Sequence, residues 1–139
     1  MTNKGRPFFD TNVLIYALAS DDRRTAAAES LLAKGGAVGV QNLNEFASVA
    51  SRKMKMPWHD IEQALSAIRT LCPSPVPVDI EIHEAALEIA GRHHYQIYDA
   101  LVIAAAISAR CAILYSEDLQ HGQVIRGVTV QNPFLDVAR

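Results

Sequence analysis

Apolar positions along this chain alternate between short unbroken runs and runs spaced three or four residues apart, the rhythm of buried strands followed by amphipathic helices. Phe8 and Phe9 form a short run that stops at Asp10; Val13, Leu14, Ala17 and Leu18 then recur at helical spacing, which predicts a strand end and a helix over 11–19. Ser20 and Asp21 read as a stop and a new cap, followed by an alanine-rich helix over 22–34 that Gly35 and Gly36 close. Residues 37–40 read as a short apolar strand. Asn42 or Asn44 opens the next helix through Glu45, Phe46, Val49 and Ala50, and Pro57 marks the start of another over 58–71. Three prolines within 72–78 exclude a helix there and leave room for an edge strand at 76–78. Beyond them the pattern predicts an amphipathic helix from 80 to about 93, a nearly all-apolar helix over 98–110 that lies against the sheet, and a buried strand over 112–115.

Short apolar strands alternating with helices point to an α/β fold with a parallel sheet covered on both faces. In such folds ligands bind beyond the carboxyl ends of the strands. Asp10 and the run Ser116-Glu117-Asp118 both follow strands at that edge.

A chain of 139 residues fits one domain, residues 1–139, and buries roughly two thirds of its unfolded surface without needing a disulfide or a structural metal. Lys4, Arg6 and Asp10 interrupt any signal-like stretch, and no apolar run is long enough to cross a bilayer, so no membrane association is expected. Cys72 and Cys111 lack metal-ligand spacing and read as reduced thiols near the core, which suits the cytoplasm. The net charge of -2 argues against coating nucleic acid by bulk electrostatics, but leaves two local basic clusters, Arg23 with Arg24, and Arg52, Lys53 and Lys55. Each is either a solvated helix end or a weak contact for RNA phosphates. The apolar helices leave more greasy surface than one small domain hides, which suggests a homodimer.

Four acids far apart in sequence, Asp10, Glu45, Asp99 and Asp118, are expected where buried elements begin or end. Gathering them is costly, because two unit charges about 4 Å apart repel by roughly 4 kcal/mol at an effective dielectric of about 20. A divalent cation offsets that repulsion, and oxygen ligands favour magnesium or manganese over zinc. Glu45 and Asp99 are both placed in the first turns of their helices, where the dipole favours negative charge. Simpler roles stand beside these: Asp10 as a helix cap, Asp99 as an N-terminal helix charge, Asp118 as a turn acid. A lone Glu45 on an apolar face would be expensive and so is harder to explain structurally. His121 reads as a turn residue, His93 and His94 as an exposed helix end, and Trp58 and Tyr95 as packing aromatics rather than base-stacking platforms.

Asp-Thr-Asn-Val-Leu-Ile-Tyr at 10–16, Asn-Glu-Phe at 44–46, Tyr-Asp-Ala-Leu-Val-Ile-Ala-Ala-Ala at 98–106 and Leu-Tyr-Ser-Glu-Asp-Leu-Gln-His-Gly at 114–122 together resemble the motifs of PIN-domain nucleases, and most of all the VapC-type toxins of bacterial toxin–antitoxin pairs. The resemblance runs along the whole chain in order. It implies a three-layer sandwich around a central parallel sheet of four or five short strands, and a Mg²⁺-dependent endoribonuclease in which Mn²⁺ can substitute. Carried over by motif, Asp10, Asp99 and Asp118 would be metal ligands, with Glu45 completing the catalytic quartet. Asn12 and Ser116 match the polar positions that orient the pocket, and Glu117 competes with Asp118 as the acid that faces the metal. Metal-assisted hydrolysis would leave 5′-phosphate and 3′-hydroxyl ends. The resemblance also implies a protein antitoxin that pushes a basic side chain into the acidic pocket.

Other readings fare worse. A response-regulator receiver needs a lysine late in the chain, and none follows Lys55. A haloacid dehalogenase-like phosphotransferase needs Asp at position 12, where this chain has Asn12. No Gly-rich Lys-Ser/Thr loop is present for a P-loop ATPase. An RNA-processing nuclease without an antitoxin, and a non-catalytic RNA-binding module, remain as alternatives.

Overall fold

The computed structural model describes residues 5–19 and 22–136, so the expected Ser20-Asp21 stop and cap lies outside the described residues, as do positions 1–4. The order is β1 (Phe8–Phe9), α1 (Thr11–Leu18), α2 (Asp22–Ala33), α3 (Val40–Arg52), α4 (Trp58–Leu71), α5 (Ile80–His93), α6 (Ile97–Ser108), β2 (Ile113–Tyr115), β3 (Val124–Ile125) and β4 (Val128–Gln131). The strands form one sheet in the order β1-β2-β4-β3.

The sheet separates two apolar layers because side chains alternate along each strand. Phe8 and Leu114, partners in the parallel β1–β2 register, point to one face and join Ile82, Ala86 and Ile89 of α5 and the apolar run of α6. Phe9 points the other way and joins Val13, Leu14, Phe46, Ile61 and Ile68 from α1, α3 and α4, with its ring stacked 6.0 Å from that of Tyr115. This is the three-layer α/β sandwich, and one residue step along β1 decides which layer each phenylalanine fills.

Two expectations about the sheet need correction. The sheet is mixed rather than wholly parallel: β1, β2 and β4 are parallel, but β3 runs antiparallel to β4. Only Arg126 and Gly127 separate those strands, and a two-residue connection closes a hairpin but cannot make a parallel crossover. Both residues have positive φ, 49° and 88°, as the tight hairpin turns of this length require. Residues 37–40 and 76–78 are not full strands. The first touches the sheet margin through a single bridge, Ala37 with Phe8, the second joins the first through another, Val76 with Gly39, and Val40 already begins α3. The chain passes close to β1 there because Gly36 has no side chain: a Cβ would lie 2.6 Å from the Pro7 carbonyl oxygen and 2.5 Å from the Phe9 ring.

Helix limits follow local chemistry. Pro57 precedes α4 and the proline-rich 72–78 segment ends it, so the expected 58–71 span is the observed one. Asp79 caps α5 by accepting from the Ile82 N–H at 2.9 Å, and His94 closes it in the left-handed conformation. Both cysteines are buried free thiols, and burial pushes each up to about 11. Among the described residues no helix is long and apolar enough to cross a membrane.

Candidate active site

β1 and β2 run parallel as neighbours, so the residues that follow them emerge at the same sheet edge. Asp10 leaves β1 with its N–H bonded to the Tyr115 carbonyl at 3.0 Å, and Ser116 leaves β2 with its N–H bonded to the Gln131 carbonyl at 3.0 Å. The buried Ser116 hydroxyl donates to Asp10 Oδ2 at 2.8 Å and accepts from the Asp118 and Leu119 N–H groups, shaping the 116–118 turn. Asp10 Oδ1 accepts from the Thr11 N–H at 2.7 Å, so the helix-cap role and the site role are filled by one side chain.

Asn12, on the first turn of α1, reads the opposite turn. Its amide nitrogen donates to Asp118 Oδ2 at 3.2 Å and its amide oxygen accepts from the Glu117 N–H at 3.2 Å. Asn42 of α3, 1% exposed, donates to Asp10 Oδ1 at 3.4 Å and to the Thr11 hydroxyl at 3.1 Å, while its oxygen accepts from the Gly39 N–H at 2.9 Å. Sequence reasoning treated Asn42 only as a helix opener and passed over Thr11. The available signal was a polar side chain standing at the buried spacing of Phe46 and Ala50, four and eight residues on.

Asp10 is 8% exposed and its carboxyl is raised to about 6. Burial is the main cause; the hydrogen bonds from Ser116 and Thr11 oppose it, and the Asp118 and Glu45 charges add to it. Asp99, half-buried in the first turn of α6, is also raised, first by burial and then by Asp118, against a hydrogen bond from Gln96. The four acids therefore share one electrostatic field, with Asp118 acting on both Asp10 and Asp99.

Two expectations fail at Glu45. Because α3 starts at Val40, Glu45 falls on its second turn, beyond the orphan N–H groups. Nor is it buried on an apolar face: it is exposed beside the buried Phe46, and its Oε1 accepts from Gln41 at 2.9 Å. Asp118 is likewise exposed, so of the four acids only Asp10 is buried.

Among the described residues, no three His, Cys, Asp or Glu side chains converge closely enough in this arrangement to chelate a cation. Each acid instead takes an amide partner: Asp10 has Asn42, Glu45 has Gln41, Asp99 has Gln96 and Asp118 has Asn12. Neutral amides satisfy lone pairs without cancelling charge. An all-oxygen set with uncompensated negative charge, anchored by the Asp10 carboxyl that burial raises, suits a hard divalent cation better than a zinc-type one.

Glu117 points elsewhere. Its Oε1 accepts from the Tyr16 hydroxyl at 2.9 Å, and its Oε2 lies 3.4 Å from Arg24 Nε. Arg24 is thus packed into this contact, with its guanidinium carbon 5.3 Å from the Tyr16 ring centroid, and is not the solvated helix end that was one of its two expected roles. Arg23, Arg52, Lys53 and Lys55 are exposed. His121 Nδ1 accepts from the Asn132 N–H at 3.0 Å, the turn role expected of it. Tyr95 packs against the α5–α6 layer and donates to Gln123, as a packing aromatic does, whereas Trp58 is 63% exposed, against the packing role its sequence setting predicts.

Two depressions lie away from the acids. One of about 390 Å³ is apolar and lies among α1 to α4, lined by Leu14, Leu18, Leu32, Phe46 and Ile68.

A family model described as PIN domain matches residues 8–126. No curated protein matches the chain significantly by sequence. Similar solved structures include Mycobacterium tuberculosis VapC20, described as a sarcin-ricin loop cleaving toxin, at 23% identity over 81% of this chain and 89% of that one, with a TM-score of 0.65. A toxin–antitoxin complex from Klebsiella pneumoniae is similar at 20% identity over 91% and 97%, with a TM-score of 0.70. VapBC2 from Rickettsia felis, bound to a DNA fragment from its promoter, is similar at 16% identity over 91% and 97%, with a TM-score of 0.65.

Proposed function

Because this chain belongs to the PIN domain family, we propose that it is a divalent-metal-dependent endoribonuclease acting as the toxin of a type II toxin–antitoxin pair, with residues 1–139 working as one nuclease domain. The observation that carries this reading is Asp10: a buried carboxylate at a strand end, raised to about 6 and pushed by two further acids. Asp10, Asp99 and Asp118 would hold Mg²⁺, for which Mn²⁺ substitutes, and Glu45 completes the set from α3 directly or through water. The cation would supply positive charge against the phosphate oxygens of the scissile bond. Ser116, Thr11 and Asn42 hold the Asp10 carboxylate in one orientation, and Asn12 does the same for Asp118.

The substrate is structured RNA, cut in a loop where bases splay out, and held through its phosphates by Arg23, Arg52, Lys53 and Lys55. Two observations support an antitoxin partner. One similar structure is a toxin–antitoxin complex, and the apolar depression among α1 to α4 suits an apolar segment of a second chain. A basic side chain of that partner laid among the acids would neutralise the charges a cation otherwise neutralises.

Cleavage of RNA by the purified protein with Mg²⁺, Mn²⁺ or EDTA, wild type beside Asp10→Asn and Asp99→Asn, tests the reading. The expected result is metal-dependent cutting that leaves 5′-phosphate ends and is lost in both variants. Products with a 2′,3′-cyclic phosphate would overturn the mechanism. RNA binding without any cutting would favour a non-catalytic module.

A further inference from the structure

The 116–118 turn carries two adjacent acids, and the fold treats them oppositely. Asp118 is exposed, touches Asn12 and acts electrostatically on Asp10 and Asp99. The Glu117 carboxylate is held by Tyr16 and Arg24, and the Glu117 and Arg24 side chains are 27% and 25% exposed. Asn12 and Tyr16 stand four residues apart on α1 and so share one helical face. That face grips the turn at two points, its backbone and Asp118 through Asn12, and the Glu117 side chain through Tyr16. Tyr16 is itself seated edge-on against the buried Phe134, with ring centroids 4.8 Å apart, and Arg24 of α2 lies over its ring.

We propose that Tyr16 and Arg24 are positioning residues for Asp118: by holding the Glu117 carboxylate toward α1 and α2, they fix the turn that presents Asp118 and keep another negative charge out of the acid pocket. This rests on the nuclease reading above. A charge-assisted hydrogen bond to a partly enclosed carboxylate holds its geometry better than an exposed ion pair does. Released from it, Glu117 is free to compete with Asp118 for the same space, and the turn loses one of its two anchors.

Mn²⁺ affinity of the full chain, measured by titration calorimetry without RNA, tests this. Tyr16→Phe keeps the ring against Phe134 and removes only the hydroxyl. Its Mn²⁺ affinity is expected to fall about tenfold, the lower end for residues that orient metal ligands, with a thermal midpoint close to that of wild type. Arg24→Ala should weaken Mn²⁺ binding similarly, and Arg24→Lys should recover part of the loss. In a Glu117→Gln background, where no carboxylate competes, Tyr16→Phe should have little further effect. Wild-type affinity in Tyr16→Phe, or the same loss with and without Glu117, overturns the inference. Arg24→Ala that raises KM for RNA at unchanged Mn²⁺ affinity makes Arg24 an RNA contact and overturns its positioning role. A wild type that binds no Mn²⁺ overturns the nuclease reading and this inference with it, whereas wild-type binding with an unchanged Tyr16→Phe overturns the inference alone.

Discussion

Asp10 shows how one side chain carries folding and chemistry in opposite directions. In the unfolded chain its carboxyl titrates near the ordinary 3.8, and in the fold it is raised to about 6. A carboxyl raised on folding binds its proton more tightly in the native state. Its contribution to stability is therefore present below the unfolded value and is lost as pH rises through about 6. The shift corresponds to on the order of 3 kcal/mol. Without divalent cation, wild-type stability to urea should fall between pH 4 and pH 7 relative to Asp10→Asn, and the difference between the two titrations isolates this group from Asp99, which is raised as well. An identical pH dependence in both proteins would mean that Asp10 is not the strained group. At this scale the sequence was informative about acids and silent about amides. Four carboxylates could be found from where apolar runs stop, but the pairing of each with Asn12, Gln41, Asn42 or Gln96 depends on contacts that no periodicity encodes.

Helices were more legible than strands at the scale of elements, and the reason is length. Twelve- to fourteen-residue helices such as α4, α5 and α6 repeat their apolar stripe several times and carry stops that local chemistry explains. β3 and β4 have two and four residues and are joined by Arg126-Gly127 rather than a strong Asn-Gly signal, so the hairpin left no pattern to read. Glu45 was misplaced for a related reason: Asn42 accepts from the Gly39 N–H three residues before it, so the helix began earlier than either asparagine implied. Glycines at the margins of these elements give predictions of opposite sign. Gly36→Ala drives a methyl against the Pro7 carbonyl and the Phe9 ring and should destabilise by about 1–3 kcal/mol. Gly91→Ala, inside α5 with no atom near the added methyl, should stabilise by about 0.5–1 kcal/mol. Urea unfolding of the two variants checks both: a Gly36→Ala protein no less stable than wild type would contradict the packing described at Gly36, and a destabilised Gly91→Ala protein would contradict the open space at Gly91.

On the scale of the whole molecule, the layered α/β architecture followed from the alternation of apolar runs, because β1 is buried on both faces and β2 and β4 are at least half-buried on both. The reversed direction of β3 did not, since direction is set by a turn rather than by burial. Surface apolarity is what the monomer leaves unresolved. Ile80 and Leu87, seven residues apart on α5 and therefore on one face, are 68% and 52% exposed; Val78 just before that helix is 53% exposed and Tyr98 on the adjoining α6 is 62% exposed. We propose this face as the contact of a homodimer. Leu87→Glu should convert a dimer to a monomer in light scattering at unchanged helical content, and a wild type that is monomeric at high concentration would remove the proposal. One consequence of the strand pairing concerns synthesis. Phe8 lies beside Leu114, so Asp10 and Ser116 meet only after all of the chain between them has been made. A polypeptide still growing on the ribosome holds its first carboxylate away from the last, and whatever activity the assembled pocket has is withheld until the 116–118 turn has been made.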